Sequence, residues 1–307
     1  MESTSECLAG TNFTLDWLCQ VLHKSKDSLT YFQAEQIAKG HGYLSTIIAV
    51  DLKWQSKTEK LILKIPNTKS VSGVFNQEKT AQEMTRRLTE VHDCECNAYQ
   101  LLSNTNLSLP IPKLFYSRPI QPNLPGVLVM ENLSQGALVK LAEGLSKEQL
   151  YSVAEGLAKI HAHSLSLEPS EWVDRFHIEY ESEQLNTNVI STLLDGVEPS
   201  TCMEDLCVLM TICCSTELRR NEWRNVVAHY YSKLKRSLKS DPPFSVQKVE
   251  QAFIQMQPWA VTFLAVNCSF WPTTLPPQTS DLHSAIDSLA KRAEAAVLDL
   301  YPDCVQP

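Results

Sequence analysis

All nine glycines lie at or before Gly196, and the last 111 of the 307 residues contain none. Glycine reaches φ > 0 without steric cost, so tight hairpin turns depend on it. The glycine-free C-terminal stretch is therefore expected to be helical, with loops made from Pro and Ser. The N-terminal part has the opposite character. Residues 45–54 (STIIAVDLKW) and 60–65 (KLILKI) are short, apolar and β-branched, which predicts a hairpin turning around Ser56 to Glu59. Residues 126–131 (GVLVME) and 113–117 (KLFYS) predict two more strands. Between them, Leu88, Val91, Ala98, Tyr99 and Leu102 suggest a helix over roughly 80–103.

Ser146 and Gln149 form an S-x-x-Q capping box ahead of Leu150, Val153, Ala154, Leu157 and Ile160, predicting a helix to about Ser164. Further helices are expected at 205–214, 217–239, 245–257 and 281–300, the last with Leu282, Ile286, Leu289, Ala293 and Leu300 on one side. Strands first and helices afterwards predict an α+β chain with a sheet part and a helical part.

Charge narrows the function classes. With 27 Lys and Arg against 35 Asp and Glu, the formal charge is −8, which argues against general nucleic-acid binding. No apolar run approaches a membrane span, and the opening MESTSECLAG lacks the basic and apolar regions of a secretory signal. The expectation is a cytoplasmic chain without membrane or nucleic-acid partners. Its ten cysteines include no C-x-x-C pair, so they are expected to be free thiols serving as small hydrophobes, with no metal site. Residues 165–206 carry ten acidic side chains against one basic. Residues 217–239 carry seven basic (Arg219, Arg220, Arg224, Lys233, Lys235, Arg236, Lys239) against two acidic, a stretch that can meet phosphate or acidic partners but is expected more often of a solvated helix face.

Three places carry possible chemistry. Gly40, Gly42 and Ser45 lie in G-H-G-Y-L-S ahead of a strand, where backbone N–H groups and a hydroxyl can approach a phosphate; an ordinary turn reads the same way. Lys64 interrupts the apolar run Leu61, Ile62, Leu63, Ile65, and alternation puts it on the face of Ile62. Desolvating an unpaired ammonium is costly, so Lys64 calls for solvent or an anionic partner. Glu95, four residues after Val91 and three before Ala98, is such a partner on the intervening helix. A glycine-rich turn, then a lysine 22 residues after Gly42, then a helical glutamate 31 residues further on, follows the order of kinase-type folds. The strand Val127 to Met130, followed by Glu131, Asn132 and Leu133, would then supply an inter-lobe hinge whose free backbone groups hydrogen-bond an adenine.

The segments GHGYLSTIIAVDLKW, LILKIP, CECNAY, GVLVMENLS, SKEQLYSVAEGLAKIHAHSL and CMEDLCVLMTICCSTELRRNEWRNVVAHYYSKL together resemble the choline-kinase-like and ecdysteroid-kinase-like proteins. That group is expanded in nematodes and insects and related to aminoglycoside phosphotransferases. The resemblance spans most of residues 30–265. It implies a protein-kinase-like two-lobed fold: an N-terminal helical extension over 1–29, a β-rich N-lobe over 30–133, and a helical C-lobe over 134–307. It further implies ATP-dependent phosphorylation of a small-molecule hydroxyl. Gly40, Gly42 and Ser45 would take the phosphate-loop place, Lys64 and Glu95 the phosphate-positioning ion pair, and Met130 and Glu131 the hinge.

One departure governs the functional expectation. Such kinases carry a His-Gly-Asp loop followed by Asn and an Ile-Asp-Trp-Gln-like segment, supplying the base and the Mg²⁺ ligands. Between His163 and Met203 this sequence contains neither, and the C-lobe is shortened near 195–203. Asp195 is a nearby carboxylate without a following Asn at suitable spacing. Asp205 reads as a helix N-cap, and His161 and His163 as packing and surface. The expectation is a pseudokinase-like protein with a partial ATP cleft, no assigned catalytic residue and no Mg²⁺ ligands. The alternatives are an active kinase of a choline- or steroid-like hydroxyl using Asp195 or another carboxylate, and a truncated splice form.

Overall fold

The computed structural model describes residues 6–37, 44–55, 57–67, 78–103, 109, 111–134, 136, 139–140, 142–172, 175–176, 202–274 and 280–302. The chain divides into two units, Met1–Gly136 with Pro169–Glu179 and Ala137–Glu168 with Tyr180–Pro307.

In the first unit, alternation along the strands decides everything. Five antiparallel strands, β1 (Leu29–Ile37), β2 (Ser45–Trp54), β3 (Lys57–Pro66), β4 (Leu114–Arg118) and β5 (Val127–Glu131), pair in the order β1-β2-β3-β5-β4. One set of alternating side chains, including Ile48, Val50, Leu52, Leu61, Leu63, Val127 and Val129, is buried. It packs against Leu8, Phe13, Leu15 and Leu18 of the N-terminal segment, which contains the short helix α1 (Leu15–Val21). Fully burying a Leu, Ile or Val contributes about 1.5–3 kcal/mol each, so this face fixes the strand register. The opposite face carries Ile62, Leu128 and Met130 and receives Cys96 and Tyr99 of α2 (Glu78–Ser103).

The four expected strands are present; β1 is additional. Its sequence LTYFQAEQI mixes strong and poor strand formers, and Leu29, Phe32 and Ala34 pack on the buried core without being fully buried. The expected stripe of α2 is corrected too. Val91 is 44% exposed, while Leu88, His92 and Cys96 are buried.

The second unit is helical: α3 (Lys147–Ser166), α5 (Glu204–Cys213), α6 (Thr216–Leu238), α7 (Val246–Thr274) and α8 (Ser280–Leu300), with the short α4 (Pro169–Trp172) belonging to the first unit. The capping box forms: Ser146 Oγ accepts from the Gln149 N–H at 3.2 Å, and Gln149 Oε1 accepts from the Ser146 N–H at 2.8 Å. The buried stripe of α3 is Leu150, Ala154, Ala158 and Ala162, not one running through the exposed Val153. Small alanines at i, i+4 let α6 approach with Val226, Val227, Tyr230 and Leu234. α7 runs past the expected stop at 257 despite Pro258. Its continuation buries Ala260, Val261 and Leu264, so packing outweighs the lost helix hydrogen bond. Among the described residues no helix is long and apolar enough to cross a membrane. The α+β order of a β-rich first part and a helical second part is thus borne out.

The α3–α5 region depends on one glycine. Gly144 has φ +73°, and a Cβ there would lie 2.6 Å from the Cys213 carbonyl oxygen and 2.8 Å from Arg292 Nη2. The buried Arg292 donates to the Ile212 and Ala142 carbonyls at 2.7 and 3.2 Å, satisfying the end of α5, while the Leu145 N–H donates to the Cys213 carbonyl at 2.7 Å. Gly144→Ala combines left-handed strain of about 1–2 kcal/mol with a backbone clash. Urea unfolding is expected to record a loss of about 2 kcal/mol or more; a loss below about 0.5 kcal/mol would contradict this packing.

Candidate functional site

Lys64 and Glu95 meet. Lys64 Nζ donates to both carboxylate oxygens of Glu95, at 2.6 Å to Oε1 and 2.7 Å to Oε2. The pair is partly buried, with side chains 31% and 25% exposed. Partial burial reduces solvent screening without the full desolvation cost of an interior pair.

The sheet and the helix bring the two together for separate reasons. In β3, Lys64 pairs in register with Ile47 of β2 and Leu128 of β5, and Ile47 pairs with Ile37 of β1. Side chains in register share a face, so Lys64 stands on the α2 side of the sheet. Helix α2 is held there by His92, three residues before Glu95. The His92 Nε2 lies 3.0 Å from the Arg118 carbonyl oxygen of β4. A Cβ on Gly126 would approach that nitrogen to 2.5 Å, so the missing side chain at the start of β5 lets the helix sit at this height. Cys96, one turn beyond, is buried, and burial pushes its thiol up to about 12, removing it as a nucleophile at neutral pH. Sequence reasoning did not find His92 or Gly126; a histidine beside a charged site gives no signal until its backbone partner is known.

The remaining expected site residues fall unevenly. Gly40 and Gly42 lie outside the described residues, as does Asp195. Ser45 is the first residue of β2, paired with Pro66, on the same sheet face as Lys64. Met130 is buried beside Ile62. Glu131 ends β5, and its backbone is not free as expected: its N–H donates to the Lys113 carbonyl at 2.8 Å, and the Asn132 N–H donates to the Lys60 carbonyl at 3.0 Å. Sheet pairing extends that far, so the first backbone N–H after β5 without a partner among the described residues is that of Leu133.

On the same face the first unit carries a concavity of about 280 Å³, lined by Gln33, Glu35 and Ile37 of β1, Ala49 and Asp51 of β2, Lys60 of β3, and Asn132 and Ser134 after β5. Glu35 and Ala49 of this lining belong to a row that continues into Ile62 and Met130, which pack with Cys96 of α2, and that row lies next to the one containing Lys64. An apolar patch of Ile37 and Ala49 among hydrogen-bonding groups, beside the row of a fixed ammonium, leaves room for a heterocycle carrying an anionic chain. Among the described residues no group of three or more His, Cys, Asp or Glu is placed to hold a metal ion.

In the second unit His161 packs instead of reacting. Its Nδ1 lies 2.7 Å from the buried Tyr230 hydroxyl. His163 Nε2 is buried without a hydrogen-bond partner among the described residues. Asp205 is not the N-cap. Met203 holds that position, and Glu204 and Asp205 occupy the first turn of α5, where carboxylates favour the helix dipole. The nine described cysteines are free. The basic helix is largely paired: Arg219 and Arg220 meet Asp299, Lys233 meets Glu155, and Lys235 meets Asp241.

A family model described as "Uncharacterized oxidoreductase dhs-27" matches residues 30–198 and 182–300. Curated proteins yield no match. Two solved structures are similar. One, from Ralstonia eutropha and provisionally described as an aminoglycoside phosphotransferase, is 8% identical over 92% of this chain and 96% of its own, with a TM-score of 0.45. The other, the gentamicin complex of APH(2″)-IIa, is 12% identical over 93% and 99%, with a TM-score of 0.38. At such scores neither likeness decides fold or function.

Burial holds the His161 imidazole below its ordinary value, with Asp205 opposing, and burial with Lys233 does the same for His229. A histidine that resists protonation when folded makes stability fall as pH drops below the unfolded value of about 6.5. Urea midpoints at pH 7.5 and pH 5.5 are expected to differ less in His161→Gln than in the unaltered protein; equal slopes would contradict the assignment.

Proposed function

The chain belongs to the family described as "Uncharacterized oxidoreductase dhs-27", and within it we propose a kinase-like protein of the small-molecule phosphotransferase type that binds nucleotide and turns it over poorly or not at all. The observation that carries this reading is the two-pronged Lys64–Glu95 pair between a central strand and the helix that follows it. A lysine held this way by a helical carboxylate keeps its ammonium at a fixed point, which is what a polyphosphate requires. Lys64 would hold the phosphates. Ala49 and Ile62 would lie against the base, with Met130 buried behind them and Leu133 offering its backbone N–H at the edge. Gly40, Gly42 and Ser45 keep the phosphate-loop role as part of this proposal.

ATP, when bound, would supply the transferable phosphoryl group. The choline- and ecdysteroid-kinase resemblance supports a small-molecule alcohol as the ancestral acceptor. Impaired turnover is supported by the sequence between His163 and Met203, which has no His-Gly-Asp loop and no Ile-Asp-Trp-Gln-like segment. The two pieces of the family match overlap at 182–198, inside that stretch. Loss of a general base alone lowers rates roughly 10²–10⁴-fold, and loss of Mg²⁺ ligands adds to it. The oxidoreductase word stays with the family description. The first unit's sheet is antiparallel throughout, unlike the parallel crossover sheet that cradles dinucleotides.

Millimolar ATP is expected to raise the melting temperature by about 3 °C or more, with no rise in Lys64→Ala. Phosphate transfer from Mg²⁺-ATP to candidate alcohols is expected to stay below about 10⁻² s⁻¹, against roughly 1–100 s⁻¹ for kinases. Absence of any shift would remove the binding role. Rapid turnover abolished by Asp195→Asn would establish the active-kinase alternative.

A further inference from the structure

The second unit contains a cavity of about 350 Å³ among α5, α6, α7 and α8, within the size range of small-molecule sites. Nothing in the nucleotide reading uses it. One wall is cationic: Arg219, Arg220 and Arg224 of α6 line it, and Asp299 of α8 is its one carboxylate. Asp299 is shared, accepting from Arg219 Nη2 at 2.6 Å and from Arg220 Nε at 2.9 Å. Arg224 has no carboxylate partner among the described residues; its guanidinium lies over the Trp223 ring, 4.3 Å from the centroid. Three guanidinium groups against one carboxylate leave the lining with a surplus of two positive charges.

The other wall is apolar. Trp223 stacks on Phe253 with centroids 5.3 Å apart and planes within 7°, making a rigid flat floor. Ile254 is 47% exposed beside them, and Val261 and Leu300 also line the cavity. An open aliphatic side chain therefore adjoins arginines that carry more charge than Asp299 neutralises. A ligand with an anionic head and an apolar body covers both parts at once. Inorganic phosphate leaves the apolar wall exposed, and a neutral apolar molecule leaves the charge surplus in place.

We propose that this cavity binds a small amphipathic anion, its carboxylate or phosphate head held by Arg224 with Arg219 and Arg220, and its hydrocarbon or aromatic body on Trp223, Phe253 and Ile254. Arginine suits either head because its planar fork gives paired hydrogen bonds to carboxylate and phosphate oxygens. The site lies wholly within the second unit and stands whether or not the first unit binds nucleotide.

Titration calorimetry on the full chain with decanoate, decyl phosphate, decanol and inorganic phosphate tests this. At least one of the two amphipathic anions is expected to bind one-to-one with submillimolar affinity, the stronger identifying the preferred head. Decanol and inorganic phosphate are expected to bind at least about tenfold more weakly. Arg224→Gln should weaken the anion about tenfold while leaving decanol unchanged, since Arg224 is exposed and its loss leaves the fold intact. Ile254→Asp, also at an exposed position, should abolish anion binding while the protein melts as before. Equal binding of decanol and decanoate, no binding of either anion, or unchanged binding in both variants would overturn the proposal.

Discussion

The first unit is organised around one ammonium–carboxylate contact, Lys64 with both oxygens of Glu95. Each charge is placed by packing that has nothing to do with the other. Lys64 faces α2 because Leu61, Leu63 and Ile65 must be buried on the opposite side of β3. Glu95 faces the sheet because Leu88, His92 and Cys96 bury the adjoining stripe of its helix. The pair therefore reports the register of the sheet and the height of the helix together. A one-residue slip of β3 would turn Lys64 into the apolar core, where an unpaired ammonium is not tolerated. The same contact fixes a positive charge one strand row from the concavity of Ala49 and Asp51. Structure and proposed binding thus share a single physical cause.

The second unit treats charge differently. Most of the basic side chains of α6 are neutralised by carboxylates on α3, α8 and the following loop. Arg224 departs from that pattern, using an aromatic face where its neighbours use carboxylates. A solvated basic helix would scatter its charges evenly. Here three of them, Arg219, Arg220 and Arg224, gather on one side of a cavity whose other side is apolar, and that segregation is what suggests a ligand.

How much of this was legible in the sequence follows from the kind of signal each feature leaves. The β2 and β3 strands were, because β-branched alternation is local. So was Lys64, since a charge within Leu61 to Ile65 contradicts its surroundings, and Glu95 followed as its partner. The Ser146 cap was legible down to its hydrogen bonds. Strand β1 was not, because Ala34 and Gln36 carry little strand preference and its register is imposed by β2. The buried stripes of α2 and α3 were misjudged where small or polar residues, Ala158 or His92, occupy positions that larger apolar neighbours seemed to claim. The extension of α7 past Pro258 is a tertiary effect, and Arg292 beneath Gly144 joins residues too far apart in sequence to be linked by pattern. Gly40, Gly42 and Asp195 lie outside the described residues, so their expected roles rest on sequence alone.

The central claim, that the ammonium held by Glu95 faces a bound nucleotide's phosphates, is tested most directly by covalent transfer. An acyl-phosphate derivative of ATP passes its acyl group to whichever lysine amine lies beside its phosphates, and peptide mass spectrometry then identifies the acceptor. The expected result is acylation concentrated on Lys64 and suppressed by excess unmodified ATP. Acylation spread over exposed lysines such as Lys57 and Lys147, with no protection by ATP, would contradict the account.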